Sequence, residues 1–123
     1  MSLPGSSSHP VYLDTALALS QIGDAETMNS MLLMLQESLA RDLPLVSALL
    51  QSGDVAAASR VLHSLKGFLP IFCQEPLCAQ VVSVEALSKD SLSAAVGPAY
   101  SALKPGLEIL LAEVNAYLQA HAS

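Results

Sequence analysis

Apolar residues in this chain recur at spacings of three and four, in stretches separated by short polar punctuators. That spacing leaves little room for any fold but packed helices. The plainest stripe is Met28, Met31, Leu32, Leu35 and Leu39, the one-sided pattern of an amphipathic helix. Asp24 is placed to cap its start, with Glu26 in the first turn, where a carboxylate meets the positive end of the helix. The pattern resumes past Pro44 with Val46, Leu49 and Leu50, so one kinked helix is expected and not two. Met28, Met31 and Met34 are read as core packing, with an adaptable binding surface as the alternative.

Other boundaries follow from the same chemistry. A short helix is expected over 12–19, ended by Gln21-Ile22-Gly23. Ser52-Gly53-Asp54 breaks the chain again, with Gly53 as C-cap and Asp54 as N-cap of a helix from Val55 to about Leu69. Pro76 suits the first position of the next helix, over 77–87. Residues 88–91 read as a loop. A last helical stretch over 92–118 contains Gly97-Pro98 and Pro105-Gly106, either of which could bend or divide it. Strand-type alternation and internal repeats are absent. Helices joined by short loops pack against their sequence neighbours. The expected fold is therefore all-α: an antiparallel four-helix bundle with a short additional N-terminal helix. It occupies one domain over 12–120, behind a Ser-, Gly- and Pro-rich tail over 1–11 expected to be disordered.

Composition narrows the function classes. Five Lys and Arg stand against eleven Asp and Glu, a net charge of −6, which disfavours nucleic-acid binding. No apolar run reaches the roughly 18 residues of a membrane span, and the start of the chain does not read as a signal peptide. Membrane insertion is not expected, and a cytoplasmic location is. Cys73 and Cys78, five apart, make neither a zinc site nor a disulfide scaffold and read as two buried, reduced thiols. His9, His63 and His121 lie too far apart to suggest a metal site. No metal is expected on the chain.

The informative segment is Arg60-Val61-Leu62-His63-Ser64-Leu65-Lys66-Gly67. On a helix, Leu62, Leu65, Leu69 and Phe72 share the core side, and His63 lies roughly 140° from the centre of that stripe. Arg60 and Gly67 share the side of His63, and Lys66 flanks it. An exposed imidazole in its neutral form keeps a free lone pair for attack. Lys66 at i+3 can balance arriving negative charge. Gly67 costs about 1 kcal/mol relative to Ala inside a helix, and in return leaves open space beside the imidazole.

At these residues the chain resembles the histidine-containing phosphotransfer (HPt) domain family of two-component phosphorelays, in which a helix carries His, two residues, then Lys-Gly. Here these are His63, Ser64, Leu65, Lys66 and Gly67. Asp54 stands nine residues before the His, where the family commonly begins this helix. Leu77 matches a core position and Val84-Glu85 a frequent Leu-Glu pair, so the resemblance covers about residues 12–118. In place of the family's small residues and Gly after the Lys-Gly pair, the chain has Phe68, Pro70 and Cys73. Pro70 cannot donate to the Lys66 carbonyl, so the helix should kink or tighten there.

The resemblance implies a phosphorelay intermediate. His63 would accept a phosphoryl group from a receiver-domain aspartyl phosphate, at its outward ring nitrogen, and pass it to another receiver Asp. Lys66 would stabilise phosphoryl charge, Gly67 would admit the partner, and Glu85 would hydrogen-bond the His, although by itself Glu85 reads as a surface helix charge. Arg60, Ser64 and Phe68 are candidates for support or docking. The implied partners are response-regulator receiver domains and a hybrid sensor kinase. The chain needs no cofactor of its own; Mg²⁺ would sit on the receiver. It would be a covalent carrier and not an ATP-dependent kinase, since no Gly-rich nucleotide motif is present. Ser64 stands where sensor-kinase dimerisation domains usually place Glu after their His, which argues against that class. The alternative is a helical docking module that is never phosphorylated, with Phe68 in an apolar patch. Without a long heptad seam, a monomer is expected.

Overall fold

The computed structural model of the chain describes residues 12–73, 75–90 and 93–121. Five helices account for most of them: α1 (Thr15–Ile22), α2 (Ala25–Gln51), α3 (Val55–Phe68), α4 (Leu77–Asp90) and α5 (Ser93–His121), with a 3₁₀ turn over Leu69–Ile71. Among the described residues the only extended pairing is one isolated antiparallel bridge between Leu13 and Cys73. The chain is all-α. The expected tail over 1–11, with His9, lies outside the described residues.

Three aspartates start helices. Asp14, Asp24 and Asp54 each accept the backbone N–H three residues on, from Leu17, Thr27 and Ala57, one of the donors that a first turn leaves without a helical partner. The first helix therefore begins at Thr15, three residues later than its apolar residues suggest. Tyr12 and Leu13 are instead held extended: both N–H groups donate to Glu113 Oε1, at 3.0 and 2.9 Å, and the Asp14 N–H donates to the Phe72 carbonyl at 2.7 Å. Gly23 ends α1 at φ 91°, a left-handed conformation that a Cβ would strain.

α2 runs unbroken through Pro44, and α5 through Pro98 and Pro105. Division of the last stretch, left open by its Gly-Pro pairs, does not occur. All three prolines are solvent-facing, as are Ala40 and Ser101, whose carbonyls lose a helical donor to Pro44 and Pro105. Water can satisfy carbonyls on that side, while the buried side (Leu39, Leu43 and Val46 on α2; Leu103 and Leu107 on α5) holds the helix in place.

The expected loop over 88–91 is corrected in part: α4 continues through Ser88, Lys89 and Asp90. Ser88 is buried, and its hydroxyl donates to the Glu85 carbonyl at 2.6 Å, so the polar run is the last turn of the helix. Pro76 precedes α4, and its carbonyl accepts the Gln80 N–H at 3.0 Å.

α2 packs on α3 and α5, α4 packs on α3 and α5, and α1 lies against α2 and the 3₁₀ turn. The core they share includes Leu32, Leu35, Leu62, Leu65, Leu107 and Leu110, with Phe72 at the turn. Gly106 permits the closest approach: a Cβ there would meet Leu77 Cδ1 at 3.0 Å. Of the three methionines read as core, Met28 is buried and Met31 half-buried, but Met34 is 57% exposed.

Leu62 is fully buried whereas the Asp54 cap is on the surface. Leu62→Ala should cost about 2–5 kcal/mol and Asp54→Ala about 1 kcal/mol, measured by urea unfolding. Equal losses would mean that α3 is not anchored as described.

Candidate functional site

α3 has one face in the core, through Ala58, Leu62 and Leu65, which leaves the opposite face outward. His63 stands there with its side chain 66% exposed. Arg60, Ser64 and Gly67 are exposed along the same helix. Ser64 turns its hydroxyl back to the Arg60 carbonyl at 3.4 Å. Pro70 has the expected consequence: α3 tightens into the 3₁₀ turn that contains it.

Gly67 has open space around it. A Cβ built there meets no heavy atom within 4 Å, and no positive φ is involved. The fold does not require glycine at this position, so its helix cost is not offset by a packing need.

Glu85 is not the surface charge that its residue type suggests. It is 1% exposed, because it continues the stripe of Leu77 and Val81 at i+8 and i+4 on α4. Three nitrogens surround its carboxylate. Lys66 Nζ donates to Oε1 at 3.0 Å, Lys89 Nζ lies 3.3 Å from Oε2, and His63 Nδ1 lies 3.4 Å from Oε2. Burial by itself would raise this carboxyl, but the Lys66 hydrogen bond and the positive charges of Lys66 and Lys89 outweigh it and hold the group below the usual carboxylate range. Oε2 has no hydrogen bond of good geometry within the chain, so the imidazole and Lys89 meet it as close ion contacts.

This geometry distinguishes the two imidazole nitrogens. Nδ1 faces an ionised carboxylate, which favours a proton on that nitrogen. Nε2 is then left with its lone pair on the exposed side of the ring. Lys66, 29% exposed, is tethered to Glu85 and supplies positive potential from a fixed place on the same helix.

Phe68 is half-buried and does not form an open patch. Its ring meets Phe72 edge-on, with centroids 5.3 Å apart. Its outer part lines a cleft of about 430 Å³ between α2 and α3, together with Met34, Arg41, Arg60 and Ser64. Sequence reasoning missed Lys89 because its polar neighbours read as a loop; its i+4 spacing from Glu85 was the available signal. Arg41 of the cleft was also missed and Met34 was read as core, and spacing within α2 gives no sign that either borders α3.

Among the described residues no group of three His, Cys, Asp or Glu side chains is placed to hold a metal ion, and no helix is long and apolar enough to cross a membrane. No protein-family model matches the chain, and neither a curated protein nor a solved structure does.

A buried carboxylate held below its usual range contributes stability that is present above the unfolded pKa, near about 4.3, and is lost as pH falls through the lower folded value. Glu85→Gln should therefore reduce the drop in urea midpoint between pH 7 and pH 3. An unchanged drop would mean that Glu85 is not ionised in the folded chain.

Proposed function

We propose that this protein is a phosphorelay intermediate that carries a phosphoryl group on His63. The observation that supports this best is the pairing of an exposed imidazole with a buried carboxylate behind it, beside a lysine and a glycine that the fold does not need. In this reading the helices form the antiparallel four-helix bundle of the HPt family, with α2–α5 as the bundle and α1 added at the N-terminal side. The protein works as a cytoplasmic monomer.

The chemistry follows from the two ring nitrogens. The Nε2 lone pair of His63 attacks the phosphorus of a receiver-domain aspartyl phosphate. An N–P bond forms, the O–P bond to the aspartyl carboxylate breaks, and that carboxylate leaves with the bonding pair. The proton on Nδ1 stays in place, so the phosphorylated ring has imidazolium character, which the adjacent Glu85 carboxylate stabilises. In the return step a carboxylate oxygen of a second receiver attacks the phosphorus, and the N–P pair returns to Nε2. Phosphoryl transfer passes through a loose transition state, so alignment and charge neutralisation supply most of the rate. Lys66 provides positive potential on this side of the exchange, and the Mg²⁺ that neutralises the phosphoryl oxygens belongs to the receiver. Arg60 and Phe68, which line the α2–α3 cleft, offer a charged and apolar surface on the same helix as the imidazole on which a receiver domain can rest. A hybrid sensor kinase would stand upstream.

Incubation with phosphorylated receiver domains and Mg²⁺ should place acid-labile, base-stable phosphate on the protein. His63→Gln should abolish the label, and Lys66→Ala should slow its appearance on the order of tenfold or more. Gly67→Ala should leave the helix equally or more stable, by up to about 1 kcal/mol, while transfer slows because the partner meets a side chain. Receiver binding without label, on wild type and His63→Gln alike, would favour the non-phosphorylated docking module.

A further inference from the structure

Cys73 and Cys78 are free thiols in the described structure, as their setting suggests, but they are not independent of one another. Cys73 follows the 3₁₀ turn at the end of α3, and Cys78 is the second residue of α4. Their sulfurs are 2.9 Å apart, one thiol donating to the other, and Cys78 Sγ is also 3.3 Å from the Cys73 carbonyl. The exposures are 3% and 7%. A covalent S–S bond is about 2.05 Å long, so about 0.9 Å separates this contact from a bond. Side-chain torsions can supply a shift of that size.

We propose that Cys73 and Cys78 form a reversible intramolecular disulfide, a modification site that closes the link between α3 and α4. The proposal is independent of the role given to His63. The oxidant is a hydroperoxide, small enough to reach a nearly buried sulfur, and Cys78, the more exposed, meets it first. The Cys78 thiolate attacks one oxygen of the peroxide: an S–O bond forms, the O–O bond breaks, and with hydrogen peroxide the departing hydroxide takes up the proton shed by the thiol, leaving a sulfenic acid and one water. The Cys73 sulfur then attacks the Cys78 sulfur, the S–O bond breaks and a second water leaves. In sum, two thiols and one hydrogen peroxide give one disulfide and two waters: two sulfurs are oxidised and the peroxide is reduced. The second step is intramolecular at contact distance, so it should outrun further oxidation of the sulfenic acid. The first step is slow at neutral pH, because burial pushes both thiols up and little thiolate forms.

The link that closes is a structural junction. The residue before Cys73 accepts the Asp14 N–H, Cys73 itself pairs with Leu13, and α3 and α4 carry His63 and Glu85. A disulfide here restricts the unfolded chain over a short loop and should raise the Tm of the folded protein.

The test treats the native wild-type chain with excess hydrogen peroxide at mildly alkaline pH, denatures and alkylates it, and measures intact mass. The same treatment of the chain in urea provides the reference. The expected result is a monomer lighter by two hydrogens with no alkyl group added, reversed by dithiothreitol, with helical circular dichroism retained. Both cysteines fall in the single tryptic peptide from Gly67 to Lys89, which should carry the same mass loss. Cys73→Ser and Cys78→Ser should lack that loss and accumulate sulfinic acid. The proposal is overturned if the native chain keeps two alkylatable thiols under conditions that oxidise the unfolded chain, or if its main products are sulfinic acid or crosslinked dimers.

Discussion

A carboxylate with almost no contact with water must be protonated or surrounded by positive charge. Glu85 is of the second kind, and the arrangement around His63 depends on it. Lys66 comes from α3, Lys89 from the last turn of α4, and His63 from the exposed face of α3; all three meet one carboxylate on α4. The interaction links α3 to α4 through Lys66, and the imidazole turns its Nδ1 toward the same carboxylate. It also draws two lysines to one point of an acidic chain: Lys66 and Lys89 are two of the five Lys and Arg in a protein of net charge −6.

Helix starts were the most legible part of the sequence. Asp24 and Asp54 cap where their residue types and positions suggest, because an N-cap hydrogen bond is local and owes nothing to the rest of the fold. The exposed placement of His63 was legible for a similar reason: the stripe of Leu62 and Leu65 fixes the core side of α3, and helical geometry does the rest. Less legible were features decided by a neighbour. Pro44, Pro98 and Pro105 are strong local breakers, but each falls on the solvent side of a helix whose other side is held by packing. Ser88 and Lys89 read as loop because they are polar, yet both act back on Glu85, through its carbonyl and its carboxylate.

The burial of Glu85 lies between these cases. Residue type argues for the surface, while its spacing from Leu77 and Val81 puts it on the buried stripe of α4. Residue type carried the expectation, and it failed because the positive partners come from another helix and from a turn read as loop. The α2–α3 cleft was illegible for a different reason. Met34 and Arg41 border Arg60 and Phe68 only through the angle at which two helices meet, which spacing within one helix does not encode. The sulfur contact between Cys73 and Cys78 likewise depends on how the chain turns between the end of α3 and the start of α4.

The central claim is that Glu85 orients His63 so that Nε2 is the open, nucleophilic nitrogen. The most direct measurement is the ¹⁵N spectrum of the His63 ring in the neutral state, with two-bond couplings to the ring protons. The account predicts the tautomer protonated at Nδ1 and bare at Nε2, and a shift away from it in Glu85→Gln. A ring protonated at Nε2 in the wild-type chain, unchanged by that substitution, would contradict it.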